Sequence, residues 1–277
     1  MSLEEPARVL LVDDEPANID LLLNALDGRG YRLLVHPCEG TDISSVRDLA
    51  GLVLESHLDG VVLAPPLSDS TEVLAELQKH RIRFVRIAPT VDLDAYSCVF
   101  MNDVAAAREM TEYLIALGHE RIGFINGPPG HPVTEQRYLG YTLALRSHGL
   151  DVDPQLVDRG EFTFDSGLAA ARRLLSRATR PTAVFASNDD MAAGTIMAAH
   201  EMGLTIPTRL SVAGFDDSYV AQVIWPRLTT VHQPTYEMAH QAADMLFRSL
   251  GDEAPPRSVE IPYRMVCRES TGPRPSN

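Results

Sequence analysis

The amino-acid sequence predicts an α/β protein made of two similar three-layer lobes, each built on a parallel sheet. Three observations predict this class. The chain has 277 residues, which exceeds a typical single domain and favours two compact units. Short apolar runs rich in Val, Ile, Leu and Phe alternate with helical patterns along the chain, as is typical of βαβ units. The alternation restarts after Gly118, as if a second sheet begins there.

The individual elements follow from the same periodicity. Strands are predicted at residues 9–12, 32–36, 60–63, 84–87, 98–101, 121–125, 183–187 and 211–215. Helices are predicted near residues 19–26, 44–56, 71–80, 103–117, 135–147, 166–176, 191–201 and 238–250. Glycines at 118, 149 and 203 lie where a helix is expected to stop, because glycine readily adopts the left-handed conformation that ends helices.

The residues that directly follow the predicted strands indicate a binding function. Ligands of open parallel sheets bind beyond the carboxyl ends of the strands. Asp13, Asp14, Asn126, Asn188 and Asp216 occupy such positions. These loops are rich in Asp and Asn and contain no pair of nucleophile and base, so the sequence predicts a ligand-binding protein with no catalytic residues.

Composition excludes several other classes. The formal net charge is −14, and an acidic surface without a Lys/Arg cluster does not favour nucleic-acid binding by these residues themselves. No apolar run is long enough for a membrane span, and the start of the chain does not resemble a secretory signal. The three cysteines, at positions 38, 98 and 267, are far apart. We therefore expect a cytoplasmic protein without a zinc site, other metal or cofactor.

The segment RVLLVDDEP at residues 8–16 is similar to the start of a phosphorylated receiver domain, in which paired acids after the first strand hold Mg²⁺. Such a domain also needs an acceptor Asp after its third strand and a Lys after its last strand. Here those two strands are followed by Ala64 and Ala88. The acidic residues at 13–15 are better interpreted as ordinary loop residues.

A family resemblance extends from about residue 98 to residue 271. It rests on residues 114–125 (LIALGHERIGFI), 137–141 (RYLGY), 181–194 (PTAVFASNDDMAAG), 210–217 (LSVAGFDD), 226–231 (PRLTTV) and 268–271 (REST). In order and spacing these segments resemble the lactose-repressor (LacI) family of bacterial transcription regulators. The resemblance implies an effector-binding core of the periplasmic-binding-protein-like I fold.

The resemblance also implies an organisation and a set of partners. One lobe would comprise residues 6–117 plus 234–252, and the other 119–232 plus 257–272, with three crossovers near Gly118, Gln233 and Pro255. A small sugar-like effector would bind in the cleft between the lobes. The protein would form a homodimer and contact operator DNA through a headpiece of about sixty residues that has no counterpart in this chain. A periplasmic-type sugar-binding protein of a transport system shares this fold and is the alternative.

The resemblance also indicates which residues would bind the effector. Arg137 matches a family arginine whose fork can hold vicinal hydroxyls or a carboxylate. Asp216 would accept hydrogen bonds from hydroxyls, and Asn188 would have both its amide donor and its acceptor free. Phe162 would stack on an apolar ligand face, a role that Phe164 could also take.

The remaining candidates are less closely matched. Gln233 would either donate to the ligand or form part of the hinge, and the first lobe would contribute Asp14, Asn18 and Ser68. Three other residues are assigned structural roles: His119 in the turn at Gly118, Asp189 as a cap or brace of the following helix, and Asp217 in a turn or cap.

Overall fold

A computed structural model describes residues 8–12, 32–36, 58–251 and 257–275, with the backbone alone in the first two ranges. The chain divides into two compact units. The first comprises residues 1–101 and 234–262, and the second residues 102–233 and 263–277. The chain passes between them three times, which agrees with the predicted number of crossovers.

The first unit contains a parallel sheet of six strands. These are β1 (Arg8–Val12), β2 (Arg32–His36), β3 (Gly60–Leu63), β4 (Arg83–Ile87), β5 (Cys98–Phe100) and β11 (Ser258–Glu260). Their order across the sheet is β11-β5-β4-β3-β1-β2. The sequence predicted five of them within two residues; β11 was not predicted.

Helices cover both faces of this sheet at its centre. Every residue of β3 is buried, as expected for a strand with helices on both sides. On one face, Val61 and Leu63 pack with α1 (Thr71–Lys79), which begins at the capping residue Ser70. The other face holds α7 (Thr235–Leu250), which packs on β3, β4 and β5. A Cβ on Gly60 would lie 2.8 Å from Cδ1 of Leu246 of α7, so a larger residue would displace that leucine side chain.

The second unit contains a separate parallel sheet of four strands. These are β6 (Ile122–Asn126), β7 (Val157–Arg159), β8 (Ala183–Ala186) and β9 (Ser211–Ala213), in the order β7-β6-β8-β9. The short strands β10 (Thr230–His232) and β12 (Arg264–Val266) form an antiparallel pair. The helices are α2 (Asp103–Ala116), α3 (Pro132–Ser147), α4 (Phe164–Leu175), α5 (Asp189–Glu201) and α6 (Tyr219–Val223).

The side chains of β6 alternate between two helical layers. Phe124 stacks on Tyr141 of α3 with ring centroids 4.7 Å apart. The next residue, Ile125, belongs to the core formed with α4 and α5 on the opposite face. Helices α2 and α3 pack so closely that a Cβ on Gly140 would lie 2.3 Å from the carbonyl oxygen of Val104. This three-layer arrangement confirms the predicted fold class.

The predicted lobe boundaries need correction. Residues 6–117 were assigned to the first lobe, but α2 belongs to the second unit because it packs against α3, to which it is also joined by the ion pair between Asp103 and Arg137. Residues 257–272 were assigned to the second lobe, but β11 pairs with β5 in the first unit. The crossovers therefore lie at 101/102, 233/234 and 262/263 rather than near Gly118 and Pro255.

Two further predictions concern single residues and segments. His119 is fully buried, with Nδ1 2.9 Å from Thr182 Oγ1 and Nε2 3.1 Å from both Ser211 Oγ and the Gly272 carbonyl, which confirms its structural role. Burial lowers the pKa of this imidazole.

The predicted helices near 19–26 and 44–56 lie outside the described residues. Within the described part of the chain, no helix is both long and apolar enough to cross a bilayer.

Candidate ligand-binding site

The candidate site lies at the carboxyl edge of the sheet in the second unit. The four strands of this sheet are parallel, so their carboxyl ends meet at one edge. The loops that leave this edge contain Gly127 after β6, Phe162 after β7, Asn188 after β8 and Asp216 after β9. Four separate chain segments therefore converge there, as expected for a ligand site of an open α/β sheet.

Arg137 is the central cation of this site. It projects from the second turn of α3 and is buried. Its Nε donates to Asp103 Oδ1 at 2.8 Å, and its Nη1 donates to the carbonyl oxygen of Ser187 at 2.5 Å. Nη1 also lies 3.5 Å from Asp216 Oδ1. The guanidinium carbon lies 3.7 Å from the ring centroid of Phe215, so one face of the cation is covered by an aromatic ring.

Asp103 was not among the predicted site residues. It is the first residue of α2, and its side chain is buried beside Arg137. The sequence placed it only at the start of a helix, where an acidic residue is common because it complements the helix dipole. Asp103 and Arg137 are 34 residues apart in the sequence, so no local pattern indicates that they form a hydrogen bond. The pair fixes the direction of the Arg137 fork.

Asp216 is about one third exposed, in contrast to Arg137. Its φ of +115° and the φ of +59° at Asp217 place two consecutive non-glycine residues in an uncommon conformation. The backbone of Asp216 is held on both sides, because its N–H donates to the Val231 carbonyl and its own carbonyl accepts from Gln233 N at 3.2 Å. The structure therefore brings Gln233, another predicted residue, next to Asp216.

The neighbouring acids hold this loop in place. Asp189 is buried and accepts from Thr230 Oγ1 at 2.6 Å and from Ser218 N at 2.7 Å. Burial raises the pKa of Asp189 to about 7 despite these two donors, and the charge of Asp217 acts in the same direction. Asp217 itself pairs with Arg268 at 2.5 Å. Asp189 was predicted to cap or brace α5, but the cap is Asn188, and Asp189 instead holds the loop after β9 through Ser218 and Thr230. Asp217 lies in that loop and does not cap α6, whose N-cap residue is Ser218.

The expectation that Asn188 has a free donor and a free acceptor is wrong in part. Its Oδ1 accepts from Met191 N at 3.0 Å and caps α5. Its Nδ2 donates to the carbonyl oxygen of Phe162 at 2.9 Å. An amide nitrogen has two hydrogens, so one N–H of Asn188 remains for a ligand, whereas its oxygen is already used as a cap.

Phe162 joins the loops after β6 and β7. It has a φ of +57° and is partly buried. Its ring lies over Gly127, where a Cβ would come within 2.2 Å of Cζ, and it meets the His131 ring edge-on with centroids 5.0 Å apart. The other candidate aromatic, Phe164, is the first residue of α4 and is exposed. Of the two predicted aromatic residues, Phe162 is thus the one that contacts the strand-end loops.

The predicted residues of the first unit are not all described. Asp14 and Asn18 lie outside the described residues. Ser68 is fully buried in a 3-10 turn at Leu67–Asp69, and its hydroxyl has no hydrogen-bond partner among the described residues. Its carbonyl oxygen accepts from Arg86, a fully buried arginine whose Nη1 also lies 3.6 Å from Asp69. No pattern in the sequence singles out this second buried arginine.

The described residues offer no alternative metal chemistry. No group of three or more His, Cys, Asp or Glu side chains with a geometry suited to a metal ion occurs in the part of the chain that the structure describes. The polar groups at the strand ends are hydrogen-bond donors and acceptors held by buried neighbours. Such an arrangement can recognise a small polar molecule by directed hydrogen bonds and an aromatic contact.

Comparison with known proteins identifies relatives over most of the chain. Residues 111–271 match the family described as periplasmic binding protein-like domain. The HTH-type transcriptional repressor CytR of Escherichia coli is 33% identical over 248 residues, which cover 87% of this chain and 71% of CytR. The solved structure of a transcriptional regulator CelR–cellobiose complex has a TM-score of 0.85 at 31% identity, covering 96% of this chain and 86% of that one. A regulatory protein of LacI family from Chloroflexus aggregans has a TM-score of 0.85 at 28% identity, covering 95% and 98%.

Proposed function

Because the chain belongs to the LacI family of transcriptional regulators, we propose that it is the ligand-sensing and dimerisation core of a transcriptional repressor. The effector is a small polar molecule, a sugar or sugar derivative, which binds at Arg137 and Asp216. The observation on which this proposal chiefly rests is the buried arginine held beside a partly exposed carboxylate at the strand ends.

The chemistry of these groups suits a polyol. A carboxylate accepts hydrogen bonds from hydroxyl groups in fixed geometry, and a guanidinium donates to hydroxyl oxygens. The ring of Phe162 offers an apolar surface for the C–H face of a sugar. The relative whose structure is named as a complex with cellobiose supports a sugar for this chain as well.

Ligand binding can be tested by calorimetry after a thermal-shift screen of sugars, sugar phosphates and purines. A ligand that binds the folded state raises the melting temperature by mass action. For any compound that binds, Arg137→Ala and Asp216→Ala should each weaken binding by about tenfold or more, as expected for a lost charge-assisted hydrogen bond. The matched control is Arg172→Ala, which removes an exposed ion pair with Glu201. Unchanged affinity in both site variants would remove these residues from the site.

An exposed apolar surface supports the homodimer. Large apolar side chains are exposed on or next to the adjacent helices α4, α5 and α6 of the second unit: Phe164, Met197, Tyr219, Val223 and Trp225. Tyr219 and Trp225 are 79% and 75% exposed. Exposed large apolar side chains on adjacent helices are typical of protein interfaces, in which Tyr and Trp are enriched.

The dimer can be tested by analytical ultracentrifugation. We expect the protein to sediment as a dimer and Trp225→Arg to shift it towards monomer, since a charge replaces an interfacial ring. Leu139→Arg, which alters an exposed leucine on α3, is the matched control. If the wild-type protein is a monomer, or if both substitutions dissociate the dimer equally, this surface is not the dimer interface.

The output of such a regulator is DNA binding. We propose that the intact protein contacts an operator through an N-terminal headpiece, consistent with the regulators that match the chain. The rival, a sugar receptor of a transport system, has the same fold, but the relatives named here are transcription regulators. An upstream helix-turn-helix coding segment in frame supports the regulator, whereas a leader peptide beside a permease gene supports the receptor.

A further inference from the structure

We infer that the ligand site selects uncharged polyhydroxy compounds and excludes carboxylates and phosphates, and that Asp103 is the residue that sets this preference through Arg137. The inference rests on the proposed function and deepens it, because it names the charge class of the effector. It follows from the hydrogen bonds already made by Arg137 and from the charges of the loops around it.

The N–H groups of the Arg137 guanidinium are mostly occupied by other acceptors of the protein, so they cannot bind an anion in bidentate fashion. Bidentate recognition of a carboxylate or phosphate uses two parallel N–H groups of one guanidinium. Here Nε is bonded to Asp103 and Nη1 to the Ser187 carbonyl, with Asp216 at 3.5 Å. Among the described residues, no acceptor bonds to Nη2. The site can therefore offer one nitrogen of the fork, which suits a hydroxyl better than an oxyanion.

The local charge also opposes an anion. Asp103 and Asp216 both face the single guanidinium of Arg137, so the three groups have a formal charge of −1. The buried charges of Arg137 and Asp103 are weakly screened by solvent ions, whereas Asp216, whose side chain is about one third exposed, is screened more. An incoming carboxylate would meet a cation that is already paired twice.

The surrounding loops strengthen this field. Residues 127–137, 160–166, 187–192 and 214–219 follow the four strands of the second unit. They contain a single arginine or lysine, Arg137, and seven acidic residues. Asp217 is paired with Arg268, and burial raises the pKa of Asp189 to about 7, so neither adds a full negative charge. The other five are Glu135, Glu161, Asp165, Asp190 and Asp216. A surface of one sign repels ligands of the same sign.

The test uses matched pairs of ligands that differ in one anionic group. Calorimetry compares glucose with glucuronate and with glucose 6-phosphate, ribose with ribose 5-phosphate, and cellobiose with cellobionate. The neutral member of at least one pair should bind, and its anionic partner should bind at least tenfold more weakly. An anionic member that binds as tightly as its neutral partner overturns the inference but leaves the proposed ligand site intact. Failure of every compound to bind overturns both.

Substitution of Asp103 tests its part in this selection. Asp103→Asn keeps an oxygen that can accept from Arg137 Nε but removes the charge. The affinity for the anionic ligand divided by that for the neutral ligand should then rise about tenfold. This is the effect expected from removing the repulsion between two unit charges roughly 10 Å apart at an effective dielectric constant of about 20. The matched control is Glu201→Gln, which removes one charge from an exposed pair at the end of α5.

Asp103→Ala separates positioning from charge. It leaves Nε of Arg137 without its acceptor, so affinity for the neutral ligand should fall, whereas Asp103→Asn should retain it within about threefold, since the hydrogen bond survives. An unchanged ratio in Asp103→Asn, or a ratio that rises equally in Glu201→Gln, overturns the role assigned to Asp103. A purely structural residue would lower both affinities without changing their ratio.

Discussion

Replacing Asp189 by Asn should reduce the dependence of the unfolding free energy on pH between about pH 4 and pH 7. Burial raises the pKa of this carboxyl from 3.8 to about 7 in the folded protein. The folded state therefore binds a proton more tightly than the unfolded chain does. The contribution of Asp189 to stability is greatest at low pH, falls as the pH rises towards about 7, and is constant above that.

The magnitude follows from the two pKa values. They differ by about 3 units, and one unit corresponds to about 1.4 kcal/mol, so Asp189 costs the folded state at most about 4 kcal/mol at pH 8. Asn removes this cost and can keep both contacts, because its oxygen can accept from Ser218 N while its amide donates to the hydroxyl of Thr230. We expect the Asp189→Asn variant to be more stable than wild type above pH 7, with the difference shrinking as the pH falls to 4.

The assay is urea unfolding at a series of pH values from 4.5 to 8.5, with the difference between variant and wild type plotted against pH. Asp151→Asn, at an exposed loop position, serves as the control for the removal of a surface carboxylate. Parallel curves for wild type and Asp189→Asn would refute the reasoning, because they would mean that this carboxyl titrates alike in the folded and unfolded states.

Three further substitutions test the packing of the second unit, each by chemical denaturation. Gly140→Ala should destabilise by roughly 1–3 kcal/mol, because the new Cβ would lie 2.3 Å from the Val104 carbonyl oxygen and force α2 and α3 apart. Thr163→Ala should cost about 1 kcal/mol, since it removes the capping box of α4. Tyr141→Phe should cost roughly 1–2 kcal/mol by leaving the buried Ile122 carbonyl without its donor, while the aromatic stack is retained. Wild-type stability in any of the three contradicts the contact concerned.

Most of the fold could be predicted because its elements have strong local signals. The strand β8 is a short apolar run between Thr182 and Ser187, and β3 is one between Asp59 and a pair of prolines. The glycines at 118, 149 and 203 have positive φ, as expected for helix ends. The strands β7, β11 and β12 were not predicted. Each has three residues, and none of these residues is fully buried, so the strands lack an apolar run that could be detected.

The candidate site could be predicted where a residue directly follows a strand. Asp216 and Asn188 were identified by this position, and the structure places both at one sheet edge with Arg137. The error at Asn188 arose because an asparagine after a strand can equally cap the next helix, and a single side chain cannot offer the same oxygen twice. A position directly after a strand thus predicts that a residue lies at the sheet edge, but it does not predict which of its atoms are free to bind a ligand.

The position of α2 shows why contacts between residues far apart in the chain could not be predicted from the sequence. Gly118 stops a helix, and a restart of the βα alternation after it suggested that the crossover lay there. The crossover instead precedes α2, because Asp103 is paired with Arg137 and a glycine at 140 lets α2 approach α3. The same two contacts place a carboxylate beside the central cation of the site. The position of the crossover and the charge of the site therefore have a common cause, and Asp103→Asn tests the electrostatic part of it while preserving the hydrogen bond.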